Sequence, residues 1–160
     1  MEQKIRIRLI FMVSLSVIAC ALLAGAVFHS RFRNQVLEDL RTDAGILSES
    51  YRYLSDSSQL ADFVSENLRL TLTDPEGRVL YESGFDAAEM ENHSTRPEIV
   101  SARQNGSGSS VRASATIGKD TYYYAVLLED GNVLRLAVQG SNVWKNFSGA
   151  YPYLLVILTV

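Results

Sequence analysis

Cysteine is almost absent from this chain: its 160 residues hold one, Cys20, and that one lies inside an uncharged run. No disulfide can close within the chain, so its soluble part must be held by packing alone. In a membrane helix, a lone Cys reads as a small apolar residue. Histidine is nearly as scarce, with only His29 and His93. A metal site built on His93 with Glu91 and Glu98 is thin material, one imidazole and no thiolate, and is set aside. Basic residues are outnumbered. Residues 29–150 hold 12 of the 15 Lys and Arg against 17 of the 18 Asp and Glu, a balance of −5. Phosphate neutralisation needs clustered Lys and Arg, so this balance argues against a nucleic-acid partner. No kinase, nuclease or hydrolase constellation and no internal repeat is present. The only low-complexity stretch is Gly106-Ser107-Gly108-Ser109.

What the chain does have is apolar sequence at both ends. Leu9 to Phe28 is uncharged and matches the roughly 20 residues that cross a bilayer. Tyr151 to Val160 is uncharged too and has the character of the first half of a second span. Lys4, Arg6 and Arg8 precede the first run, which puts the amino terminus in the cytoplasm by the positive-inside rule. The expected topology is two-pass in a bacterial cell membrane, with residues 29–150 outside. Ala24-Gly25-Ala26 could serve as a signal cleavage site, and Val17-Ile18-Ala19-Cys20 loosely fits a lipoprotein box. The length of the uncharged run favours a retained span over either. Trp144, Tyr151 and Tyr153 suit the membrane interface where the second span begins. The expected organisation is therefore 1–30 cytoplasmic tail and first span, 31–148 extracytoplasmic domain, and 149–160 the start of the second span.

Between the runs the hydrophobic period changes. Phe32, Val36, Leu40, Ala44, Leu47, Tyr51 and Leu54 recur at steps of three and four, so the helix of the span continues for several turns. A parallel pairing of such helices across a homodimer is compatible with that stripe. Ser55 to Ser58 breaks the helix and leads into a shorter one holding Leu60, Phe63 and Val64. Leu68, Leu70 and Leu72 alternate with Arg69, Thr71 and Thr73, a half-buried strand. Asp74-Pro75-Glu76-Gly77 is a type I turn signal, and Arg78 to Glu82 is the partner strand. One turn is expected over Asp86–Met90 and a helix from Pro97 to about Arg103. The Gly/Ser segment reads as a flexible connection. Strands follow at Val111–Ile117, Tyr122–Leu128 and Leu134–Val138, the last two joined by Glu129-Asp130-Gly131-Asn132. The fold class expected is α+β, five antiparallel strands with the long helix on one face.

Five phrases on this layout carry a resemblance: Leu70 to Ser83; Met90-Glu91-Asn92-His93 with Arg96-Pro97-Glu98-Ile99; Arg112 to Thr116; Tyr122 to Ala125; and Asp130 to Leu136. With both apolar runs, the chain resembles the extracytoplasmic PAS-like or Cache-like sensor region of bacterial sensor histidine kinases, of the phosphate-regulon-sensor type found in clostridia and their relatives. The resemblance implies a two-component system whose kinase lies beyond Val160. ATP and Mg would belong to that kinase, which would also meet the response regulator; no cofactor is expected in these residues. Other outputs on the same kind of input are a chemotaxis receptor or a cyclic-dinucleotide enzyme, and a ligand-free interaction module is a third possibility.

Two sets of residues are candidates for binding a small anion. His93 and Arg96 sit in the densest polar loop, where an imidazole titrating near neutrality could help; a loop capped by Asn92, Ser94 or Thr95 is the plainer reading. Strand alternation puts Arg112, Ser114, Thr116 and Arg135 on the polar side with Arg69, Thr71 and Thr73, and Tyr123 or Tyr124 nearby. In PAS-like sensors this side forms the pocket, and paired guanidiniums suit a carboxylate or phosphate. A set of arginines paired with Glu82 and Asp86 is the plainer alternative. The candidate set is His93, Arg96, Arg112, Ser114, Tyr124 and Arg135.

Overall fold

The computed structural model describes residues 2–54, 57–65, 67–113 and 120–140. The division into two compact units falls between Asn34 and Gln35, within one continuous helix, α1 (Glu2–Tyr51). In the first unit the apolar side chains from Ile5 to Phe28 point outward and are exposed, and Phe28 stacks on Phe32 with ring centroids 6.4 Å apart. The most apolar 18-residue window has a mean hydropathy of 2.5 with none of it buried, so one helix among the described residues is long and apolar enough to cross a membrane. The second-span expectation at 149–160 falls outside the described residues.

The second unit is α+β. After α1 come a 3₁₀ segment (Ser57–Phe63), β1 (Leu68–Thr73), β2 (Val79–Glu82), a 3₁₀ turn (Ala87–Glu89), α2 (Pro97–Asn105), β3 (Ser107–Ala113), β4 (Asp120–Leu127) and β5 (Val133–Gln139). The strands form one antiparallel sheet in the order β2-β1-β5-β4-β3. Alternation sorts the side chains. Leu70, Leu72, Leu134 and Leu136 face α1 and bury against Leu40, Ala44 and Leu47, with Tyr122, Leu60 and Leu128 closing the cluster. Each buried Leu removes enough apolar area to contribute about 2 kcal/mol, which makes this layer the main source of stability. The opposite face carries a small apolar patch, Ile99 and Ala102 of α2 on Ala125 and Val133. Ala137, in register between Arg69 and Tyr123, is also buried there, and polar side chains make up much of the remainder.

Both hairpin turns use the same device. Gly77 N–H donates to the Asp74 carbonyl at 3.0 Å and Asp74 N–H to the Arg78 carbonyl at 2.9 Å. Gly131 N–H likewise donates to Leu128 and Leu128 N–H to Asn132, at 3.1 and 2.8 Å. The fourth residue of each turn is left-handed, at φ +87 for Gly77 and +86 for Gly131, a conformation in which a Cβ is strained. The tip of the β4–β5 hairpin also meets the end of α1. The Tyr51 hydroxyl donates to Asp130 Oδ2 at 3.1 Å, Asn132 Nδ2 donates to the Tyr51 oxygen at 3.4 Å, and Arg52 pairs with Glu129.

The Gly/Ser segment departs from the expectation of a flexible connection. Gly106, at φ +84, caps α2 by donating its N–H to the Ala102 carbonyl at 2.8 Å, and β3 begins at the next residue. Ser107 and Gly108 pair in register with Val126 and Ala125. A Cβ on Gly108 would come 2.5 Å from the Ser101 Cβ, so glycine is what lets α2 lie this close to the strand.

Candidate functional site

Polar side chains from all five strands stand on the sheet face opposite α1, in line from β2 to β5 and displaced by two residues on β4 and β3. Cross-strand register aligns Glu82 with Thr71, Thr71 with Arg135, Arg135 with Ala125, and Ser110 with Tyr123. Arg112 is two residues beyond Ser110 on the same side of β3. Into this row α2 lowers one carboxylate. Glu98, in the first turn after Pro97, is fully buried. Arg112 Nη2 donates to both of its oxygens at 2.6 Å, Ser110 Oγ donates to Oε2 at 2.6 Å, and Arg135 Nε stands 3.0 Å from Oε1. Both guanidinium carbons lie over the Tyr123 ring, at 4.3 Å for Arg112 and 4.4 Å for Arg135, a cation–π arrangement.

Burial alone would push the Glu98 carboxyl up. The bonds from Ser110, its own backbone N–H and Arg112, with the charge of Arg135, outweigh that and hold it below the usual range. A second carboxylate, Glu82, accepts from Thr71 Oγ1 at 2.7 Å and from Arg69 Nε at 3.2 Å. Arg135 lies between the two acids. Its side chain is 6% exposed, yet its one hydrogen bond among the described residues is from Nη1 to Thr71 Oγ1 at 3.4 Å. The Nε–H is close to Glu98 but not aimed at it. Removing a charge from water is costly unless its donors are well used, so Arg135 is under-satisfied where it stands.

His93 closes the site from the loop. Its backbone N–H donates to the Gly77 carbonyl at 2.8 Å and its carbonyl accepts from Arg96 N–H at 3.0 Å. The ring is 3% exposed, and Nδ1 has no hydrogen-bond partner among the described residues. Burial first, then the charges of Arg135 and Arg96, lower its pKa to about 4. Neutral imidazole at physiological pH thus replaces the near-neutral titration read from the sequence. Asn92 fixes this loop by donating to the Glu76 carbonyl at 3.0 Å and accepting from Ser94 N–H at 2.7 Å.

The structure gathers four of the six candidate residues on one side: Arg112 and Arg135 at its centre, His93 beside them, and Arg96 at the start of α2, where its charge reaches the His93 ring. Tyr124 is not among them. It pairs with Leu136 and packs against the α1-facing core, while Tyr123 supplies the ring. Ser114 lies outside the described residues. Glu98, Ser110 and Glu82 complete the site and were not singled out as anion-site residues. The one signal for Glu98 was a carboxylate directly after the proline that opens a helix. Two open grooves, of about 440 and 420 Å³, lie elsewhere, one at Tyr51 and Leu128 and one at Val64 and Tyr81. No group of three His, Cys, Asp or Glu converges on a common point among the described residues.

A family model for single Cache-like domains matches residues 54–135, just over half of the chain and nearly all of the sheet. The chain belongs to the single Cache-like family. It is a Cache-like sensor domain, and the polar row lies on the sheet face opposite α1. No curated protein matches the sequence. Among solved structures, the Bacillus subtilis YkuI protein, which has an EAL domain and was solved with substrate c-di-GMP and calcium, shares the fold. Its TM-score is 0.50 at 16% identity, over 72% of this chain and 36% of that one. The extracellular domain of rpHK1S-Z16, assigned as a histidine kinase, superposes with TM-score 0.42 at 15% identity, over 61% of this chain and 39% of that one. The Cache-like chain thus spans little more than a third of the length of either.

Proposed function

We propose that this chain is the sensing and membrane-anchoring input of a sensor histidine kinase of the phosphate-regulon-sensor type, working as a homodimer in a two-component system. In this reading the protein passes the membrane twice, residues 29–150 face outward, and a kinase using ATP and Mg follows Val160 and phosphorylates a response regulator. The observation that carries it is the pair of guanidiniums over Tyr123 beneath α2, with Arg135 buried and its donors underused. That seat suits a small anion, since the planar fork meets two oxygens at once. A bound anion would change what holds α2 to the sheet. The sheet's other face packs on α1, whose amino-terminal part is the candidate span. A few kcal/mol of differential affinity is enough to move a two-state equilibrium across its midpoint.

The test uses the full-length protein in nanodiscs with labelled ATP, titrated with formate, acetate, malonate, citrate, sulfate and inorganic phosphate. The expected result is histidine phosphorylation whose rate changes at least threefold with one of these anions, and a loss of that response in Arg135→Ala measured against that variant's own anion-free rate. No phosphohistidine, or a rate indifferent to every anion in the panel, would overturn the reading.

A further inference from the structure

Glu98 is bound in the way a protein binds a free carboxylate. Its oxygens accept from Ser110 Oγ and Arg112 Nη2 of β3, with the charge of Arg135 on β5 3.0 Å away, over the face of an aromatic ring. Such convergent, charge-assisted bonding is the recognition chemistry of a carboxylate ligand. The fit is also incomplete. Two guanidiniums share one carboxylate, the Nε–H of the buried Arg135 is not aimed at it, and the neighbouring buried His93 leaves Nδ1 without a partner. Apart from this anchor, little apolar surface holds α2: Ile99 and Ala102 are its buried apolar residues, on Ala125 and Val133. A short helix with few buried apolar contacts belongs to the part of a fold that opens most readily.

We infer that Glu98 is a tethered carboxylate standing in the seat of a free one, and that the seat takes a small carboxylate in exchange for it. The inference rests on the reading of this face as the ligand face. Because Glu98 is attached, it competes at high effective concentration, so a free carboxylate binds the native chain weakly and binds a chain lacking the Glu98 carboxylate well. Exchange detaches the first turn of α2 from β3 and β5, which ties occupancy of the seat to the position of the helix.

The experiment is chemical rescue of Glu98→Ala in the whole chain in detergent micelles, read as the thermal midpoint by near-ultraviolet circular dichroism. The probes are sodium formate and sodium acetate, against sodium chloride at equal ionic strength and acetamide as the neutral isostere. The variant is expected to lose about 10 °C, as removal of one partner from a buried ion pair implies for a domain of this size. Formate or acetate should restore at least half of that loss, with an apparent affinity at least tenfold tighter than for the native chain. Chloride and acetamide should restore none. A folded Glu98→Ala with no carboxylate-specific recovery overturns the inference. If Glu98→Ala stays unfolded in all four solutes, hydrogen exchange on the native chain decides. Acetate should then raise exchange at least threefold over Ile99–Asn105, and unchanged exchange overturns the inference. Rescue of Glu98→Ala, together with full-length phosphorylation that ignores every anion, would leave the inference standing and remove the signalling reading instead.

Discussion

Glu98 of α2 and Arg112 of β3 are joined through a single nitrogen, Arg112 Nη2, which lies 2.6 Å from each carboxylate oxygen. Glu98 is fully buried while the Arg112 side chain is 31% exposed, so the acid depends on the base more than the reverse. Arg112→Ala should therefore destabilise the domain by about 2–3 kcal/mol, somewhat less than a fully enclosed pair. Arg112→Lys should recover part of this, because an ammonium keeps the charge without the planar fork. Urea unfolding of the chain in micelles measures both; equal stability of all three proteins would show that the contact contributes nothing.

His93 gives the domain an acid-sensitive limb. Its folded pKa of about 4 lies below the ordinary 6.5, so the unfolded chain takes up the proton first. The contribution is fully present above pH 6.5 and is lost as pH falls from there to 4, about 3 kcal/mol in all. Glu98, held below the usual carboxylate range, adds a loss at lower pH with the same sign. His93→Asn should flatten stability against pH between 6.5 and 4 and leave the lower limb. An unchanged slope in that variant would assign the limb to other groups.

Gly108→Ala should cost about 1–3 kcal/mol, because the added methyl meets the Ser101 Cβ at 2.5 Å. The backbone oxygen of Glu98 lies closer still to that methyl, so Gly108→Ala paired with Ser101→Gly should stay well below native stability. Native stability of Gly108→Ala in urea unfolding would mean that the close approach of α2 carries no cost.

Leu40→Ala should cost about 3 kcal/mol, since Leu40 is 1% exposed in the layer between α1 and the sheet. Ile46→Ala, six residues on at 59% exposure, should change stability by less than about 0.5 kcal/mol. Thermal unfolding of the two variants side by side distinguishes the buried stripe from the solvated one.

The sheet was legible wherever a strand alternates in polarity. Leu68, Leu70 and Leu72 against Arg69, Thr71 and Thr73 announced both faces of β1, and Leu134, Leu136 and Arg135 did so for β5. The same alternation puts Arg112 and Arg135 on a common side from sequence alone. Tyr122, Tyr123 and Tyr124 gave no such cue, because three like residues in a row carry no alternation. Only the register with β5, Tyr123 on Ala137 and Tyr124 on Leu136, decides which ring faces the arginines. Gly108 was opaque for a different reason: composition read it as loop, and the helix resting on it is a tertiary fact. Glu98 was harder still. A charged residue in a short helix reads as solvated, and its burial follows from where α2 docks rather than from its neighbours in sequence.

The hairpin tip that carries Asp130 and Asn132 is stitched to the last turn of α1 through the Tyr51 hydroxyl. Arg135 stands only three residues beyond Asn132 on the strand leaving that tip. A tug on the buried guanidinium therefore has a short lever to the helix end, and Tyr51→Phe would leave that lever resting on the packed ring and on the exposed Arg52–Glu129 pair alone.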